Sequence, residues 1–174
     1  MEEPSHTEIE RIDLARYLGN KPFYSLEDRK FRYIRNNILT SEEYDKIMGQ
    51  MIEDAGLDEA AVSKKLWMDR KCLRTLKDTG HIVGLHSHSH PTDIKTLSLK
   101  QQHQEYSTNL DTLRACLGQE PETISYPFGE YNADTISIMN EFGIKLGFRA
   151  DMEGPAQSLL EFPRVNHSTI LMEM

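Results

Sequence analysis

Residues 81–90 hold four of the chain's seven histidines, His81, His86, His88 and His90. Neutral imidazole is the commonest protein ligand for zinc and related cations, and rings close together in sequence can converge on one ion with little long-range precision. An apolar run, Ile82-Val83-Gly84-Leu85, empties directly into His86-Ser87-His88-Ser89-His90-Pro91. A strand followed by a turn would therefore deliver the rings to a strand end. His86 and His90 lie four positions apart and can surround one cation if the backbone turns between them; the alternative is a packed structural pair. His81 opens the strand, and His88 lies between the other two, packing or facing solvent rather than ligating. Two further places could carry chemistry. Tyr126-Pro127-Phe128-Gly129 reads as a turn after a strand, and Arg164 is either a functional cation or an ordinary ion-paired arginine.

The elements that must position these residues follow from the apolar period. Over residues 7–80 apolar residues recur at three-to-four spacing, which predicts helices and loops. Thr40-Ser41-Glu42-Glu43 suits a helix start, Gly56 a stop, Asp58 another start, and a further helix spans about 69–77. From His81 the grammar becomes strand (82–85), long amphipathic helix (98–117, closed by Gly118), strand (123–126), helix (133–142), strand (144–150) and a last extended piece (161–165). Within the long helix Leu99, Tyr106, Leu110, Leu113 and Leu117 are expected to point inward. Such alternation predicts an α/β fold with a parallel sheet or barrel, whose chemistry collects at the carboxyl ends of the strands. The expected organisation is a helical lead-in over 1–66 and a partial barrel over 67–174, together one structural unit.

Composition narrows the function classes. A formal charge of −8 without a basic stripe argues against nucleic acid as a partner. No stretch approaches the roughly 20 apolar residues that span a bilayer, and the acidic start Met1-Glu2-Glu3 is unlike a signal peptide, so a soluble, cytoplasmic chain with no membrane partner is expected. Cys72 and Cys116 stand alone and read as small, partly buried apolar residues. Phe23, Tyr24, Phe31 and Tyr33 could form a sugar-stacking platform, but their helical spacing favours core.

The run Gly84 to Pro91 resembles the His-[Ser/Thr]-x-x-His motif of the NodB-type polysaccharide deacetylases, carbohydrate esterase family four. Ser125-Tyr126-Pro127-Phe128-Gly129-Glu130-Tyr131-Asn132 is similar to that family's Arg-x-Pro-Tyr-Gly motif, with Ser125 in place of the arginine. Phe162-Pro163-Arg164-Val165 resembles a later motif that supplies a basic residue, and Leu76-Lys77-Asp78-Thr79-Gly80 sits where the family has Leu-x-x-x-Gly. The likeness covers roughly residues 60–170. It implies a distorted (β/α) barrel holding a divalent metal, usually zinc, through one Asp and two His, and hydrolysing the acetamido bond of an N-acetylated carbohydrate. Carried over, His86 and His90 are metal ligands and Ser87 positions their loop. A backbone N–H at Phe128 faces the developing oxyanion, Arg164 orients a carboxylate, and His167 is the general acid.

One element of the family pattern has no counterpart. The Thr-Phe-Asp-Asp motif, which carries the base and the anionic ligand, is absent, and no two aspartates are adjacent anywhere in the chain. The expectation is an incomplete (β/α) barrel of the polysaccharide-deacetylase type, with a helical N-terminal segment and a site lacking its base. The alternative is a non-catalytic remnant that binds metal or carbohydrate, or pairs with another chain through an open sheet edge. A regulatory transition-metal site unrelated to sugar is the third reading.

Overall fold

The computed structural model describes residues 13, 16–19, 23–165 and 170. It divides into two units, Met1–Leu66 and Trp67–Met174. Among the described residues no helix is long and apolar enough to cross a membrane.

The first unit contains α1 (Leu26–Asn37), α2 (Ser41–Asp54) and α3 (Glu59–Leu66). Reciprocal capping boxes start the first two: Ser25 with Asp28, and Thr40 with Glu43. Hydrogen bonds from Thr40 hold the Glu43 carboxyl below the usual carboxylate range. No described residue of this unit is buried. That corrects the core reading of its aromatics, since Phe23 is 52% and Phe31 43% exposed. The reason is local: Asp28, Arg29, Lys30, Arg32 and Arg35 crowd α1, leaving too narrow an apolar stripe to close over. The rings meet one another edge-on instead, Tyr17 with Tyr33 at 5.2 Å and Phe23 with Tyr24 at 4.6 Å, and the Arg32 guanidinium lies 4.1 Å over the Tyr24 ring.

The second unit is built from α4 (Arg70–Asp78), α5 (Leu99–Leu117), β1 (Thr123–Ser125), α6 (Ala133–Glu141) and β2 (Leu146–Phe148). Asp69 caps α4 through the Cys72 N–H at 2.7 Å, a Ser98–Gln101 capping box starts α5, and Gly118 ends it in the left-handed region (φ 67°). Tyr106, Leu110, Leu113 and Leu117 form the buried face of α5 and pack with Leu85, Ile94, Ile124, Tyr126, Ile138, Met139, Ile144 and Leu160. From α4, Arg74 Nε donates to the Cys116 carbonyl at 2.7 Å and Lys77 Nζ to the Leu117 carbonyl at 2.9 Å. These cations sit at the negative end of α5 and take carbonyls that have no partner within the helix.

β1 and β2 pair in parallel, with Ile124 opposite Gly147. Single parallel bridges extend this pair on both sides, Leu85 to Ile124 and Phe162 to Phe148. Four segments thus lie side by side in chain order, and α5 and α6 fill the first two crossovers, as a parallel α/β arrangement requires.

Three expectations change. The run before the histidines is not a full strand: Leu85 is buried, but Ile82 is 80% exposed, because among the described residues this segment has a sheet neighbour on one side only. Leu99 is 51% exposed at the first turn of α5, ahead of the buried stripe. Cys116 is buried as expected, whereas Cys72 is exposed.

A polar cluster joins α5 to α6. Gln102, fully buried, accepts from Thr135 Oγ1 at 2.6 Å and donates to the Leu97 carbonyl at 3.0 Å. Thr135→Val keeps the shape and strands the Gln102 carbonyl oxygen, an expected loss of about 1–3 kcal/mol of stability, read as a lower urea midpoint at unchanged slope.

Candidate functional site

The four parallel segments end at one rim, and three of the residues singled out by sequence, His86, His90 and Phe128, gather there. Immediately after Leu85, the His86 ring Nδ1 lies 2.5 Å from the Ser125 carbonyl at the end of β1. A carbonyl only accepts, so Nδ1 is the donor in this bond, and Nε2 is the nitrogen left over for a metal. The His90 ring stands 4.8 Å from that of His86, centroid to centroid, at 64°, and 4.9 Å from the Phe128 ring at 74°. Sequence separation and strand geometry thus bring His86, His90 and Phe128 into one cluster. His81 and His88 are exposed and outside it.

The loop between the two rings is strained. Ser87 (φ 63°) and His90 (φ 55°) both adopt the left-handed conformation, which costs a non-glycine residue on the order of 1–2 kcal/mol. Ser87 is buried, and its hydroxyl accepts from the His90 N–H at 3.1 Å, closing the turn that brings His90 back toward His86. Helix α5 holds the rest. Asn109 Oδ1 accepts from the His86 N–H at 3.0 Å, and Glu105 Oε2 accepts from the N–H groups of His88 (3.1 Å) and Ser89 (2.9 Å). The other Glu105 oxygen accepts from the Ser89 hydroxyl at 2.9 Å.

Opposite the histidines, residues 127–129 make one turn of tight helix with Phe128 left-handed (φ 55°) and its ring 55% exposed. The N–H groups of Gly129 and Glu130 go to the carbonyls of Tyr126 and Pro127 at 2.9 Å each, while the N–H of Phe128 is in neither bond. An ion pair from Lys95 to Glu130, with the Asn132 side-chain amide donating to the Lys95 carbonyl at 3.1 Å, braces the turn.

Arg164 lies beyond the Phe162 bridge. Its Nε donates to the Arg149 carbonyl at 3.3 Å and its N–H to the Asp151 carbonyl at 3.0 Å. Among the described ion pairs none involves Arg164; the carboxylate of Asp151 lies 3.6 Å from the guanidinium of Arg149, which is buried and also donates to the Glu153 carbonyl at 2.7 Å. Close by, the Tyr131 hydroxyl donates to Glu161 at 3.1 Å, and burial together with that carboxylate pushes its phenol up. His167 lies outside the described residues. Sequence reasoning missed Glu105, Asn109 and Arg149. A signal existed for the first two: each directly precedes a buried position of α5, Tyr106 and Leu110, so both flank the inward stripe on one side.

Among the described residues no group of three or more His, Cys, Asp or Glu side chains could hold a metal ion. The arrangement offers two imidazoles, and a catalytic zinc ordinarily takes three protein ligands.

A sequence model described as polysaccharide deacetylase matches residues 43–147, more than half of the chain. It begins earlier than the motif likeness did, taking in most of α2. Gellan lyase of a Bacillus species is 31% identical over 86 residues, 49% of this chain and 3% of that protein. Among solved structures, the deacetylase PplD of Streptococcus pyogenes, in complex with acetate, superposes with a TM-score of 0.53 at 28% identity, covering 61% of this chain and 50% of that one. A family 4 carbohydrate esterase from Streptomyces lividans, also in complex with acetate, gives 0.43 at 26% identity over 47% of this chain and 43% of its own. The chain thus spans half the length of PplD and a small fraction of the lyase. With the motif order, the paired histidines at the sheet rim and the match over residues 43–147 in agreement, the chain belongs to the polysaccharide deacetylase family.

Proposed function

We propose that this chain carries the histidine side of a metal-dependent carbohydrate N-deacetylase site, which hydrolyses the acetamido bond of an N-acetylated sugar to a free amine and acetate. The observation that carries the reading is the His86–His90 pair at the sheet rim, with the Nδ1 of His86 committed to the Ser125 carbonyl. In-order parallel neighbours with their carboxyl ends on one side support placing the rim on an arc of an incomplete (β/α) barrel.

Two neutral nitrogen donors suit a divalent, borderline-soft cation, zinc above all. When bound, such an ion supplies Lewis acidity toward an amide carbonyl and makes water a nucleophile at neutral pH. The residues of this chain do the rest. His86 and His90 hold and orient, the Phe128 N–H serves the oxygen that gains charge during attack, and Arg164, held by the Arg149 and Asp151 backbone, is the cation for a carboxylate brought by a further segment. His167 is assigned the proton delivered to the leaving amine. The exposed Phe128 ring beside His90 gives the sugar an apolar wall.

A second reading rests on the absence of a three-ligand cluster among the described residues. With only two imidazoles the chain would bind metal or carbohydrate without turnover, or take its anionic ligand from another chain across the open edge at Leu85. Acetate release from an N-acetylglucosamine oligomer separates the two. With zinc added and a chelator as control, steady release supports the enzyme. Zinc binding without release, restored by a peptide that supplies a carboxylate-bearing strand, supports the incomplete site. Neither zinc binding nor release sinks both.

A further inference from the structure

The loop that presents His86 and His90 is strained at two non-glycine residues, and such a conformation lasts only where its surroundings over-determine it. Within the loop, the Ser87 hydroxyl makes one such bond. The His86 ring ties the loop's start to the Ser125 carbonyl, and the other hydrogen bonds described for the loop come from two α5 side chains one turn apart, Glu105 and Asn109. Asn109 fixes the amide of His86 at the loop's start. Glu105 uses both carboxylate oxygens on the stretch between the rings, taking the two successive N–H groups of His88 and Ser89 and the hydroxyl of Ser89. An ionised carboxylate accepting three donors forms stronger bonds than a neutral acceptor could.

We propose that Glu105 is a positioning residue: from α5 it sets the relative placement of the two imidazoles before any ligand arrives. The described bonds of Glu105 go to the backbone of His88 and to Ser89 rather than to either ring, so it acts through the stretch it holds. As far as the cation is concerned, the assignment rests on the metal reading given above, and the test separates the two.

Glu105 lies on the surface flank of a well-capped helix, where alanine and glutamine are both good helix formers, so the variants are expected to fold. Glu105→Ala removes all three bonds. Glu105→Gln keeps one acceptor oxygen and turns an amide N–H2 toward the third partner, whose hydroxyl can accept as well as donate. Two quantities are measured on the 174-residue protein: hydrogen exchange of the His88 and Ser89 amides without metal, and zinc affinity by competition with a chromophoric chelator. For Glu105→Ala, exchange of both amides is expected to speed about tenfold or more. Zinc affinity should fall by about 10–100-fold, the usual effect of losing a group that orients a ligand. Glu105→Gln should fall between the variant and the parent in both. Unchanged exchange in Glu105→Ala overturns the assignment, and so does faster exchange with undiminished zinc affinity, because the loop would then be held for no purpose at the rings. Faster exchange in a protein whose parent binds no zinc sinks the metal reading and leaves the clamp standing.

Discussion

Zinc binding by this chain is expected to weaken about 100-fold or more when either His86 or His90 is replaced by alanine, since removing a ligand costs at least as much as removing the group that orients one. The expectation follows from the ring geometry, with centroids 4.8 Å apart and the Nδ1 of His86 already used by the Ser125 carbonyl. His86→Ala loses a nitrogen and the bond tying the loop to β1; His90→Ala loses a nitrogen and a ring contact with Phe128. His88→Ala is the decisive control. Its side chain is exposed, and its only described bond is through its backbone N–H to Glu105, which alanine keeps. A histidine-rich loop that gathers zinc indiscriminately would lose affinity with any of the three. The site described here leaves His88→Ala within about twofold of the parent, since surface substitutions away from such features stay within about 0.5 kcal/mol. Chelator competition at neutral pH measures all three, and far-UV circular dichroism confirms that each variant folds. Equal losses at His86, His88 and His90 would remove the case for a defined pair.

Much of the second unit was legible because its signals are local. The start of α5 at Ser98, its stop at Gly118, the start of α4 near Asp69 and the stripe Tyr106, Leu110, Leu113, Leu117 each rest on signals within a few turns of backbone, and each is found where the sequence reading places it. The paired histidines were legible for the same reason, since donor type and spacing sit in one short run. What escaped were long-range polar contacts. Glu105 and Asn109 reach backbone amides 16 to 23 residues away, and on a helix exposed to water such side chains look like any solvated face. Arg149 was overlooked in favour of Arg164, because burial of a guanidinium follows from packing that no local pattern announces. The apolar reading of Ile82 failed on sheet context: a residue in an edge segment is covered only if a further neighbour lies beside it. The aromatics of the first unit failed for a related reason, as periodicity predicts a face without supplying something for it to bury against.

The largest stability effect is expected at Gly147, in the middle of β2. A Cβ there would lie 2.2 Å from the Leu160 carbonyl oxygen, 2.7 Å from its carbon and 2.9 Å from its Cα, all of them backbone atoms that no rotamer change can move. The same residue donates to the Leu159 carbonyl and accepts from the Phe162 N–H, both at 2.9 Å. Alanine therefore has to push the 159–162 segment off β2. Those two bonds would stretch, and so would the buried bond from the Tyr126 hydroxyl to the Leu160 carbonyl, 2.9 Å in the parent. Overpacking costs about 1–3 kcal/mol and each stranded buried partner a similar amount, so Gly147→Ala is expected to lose about 3–5 kcal/mol, a large part of the stability of a small domain. The segment so displaced leads into Arg164, so its bond to the Arg149 carbonyl is lost with it. Gly49→Ala supplies the opposite sign: this glycine lies inside α2 with nothing within 4 Å of a new Cβ, and alanine there should stabilise its helix by about 0.5–1 kcal/mol. Urea titrations followed by far-UV circular dichroism measure both. A Gly147→Ala protein with the parent's midpoint would mean that Leu160 does not pack against β2, and the sheet whose rim carries His86 and Phe128 would lose its last segment.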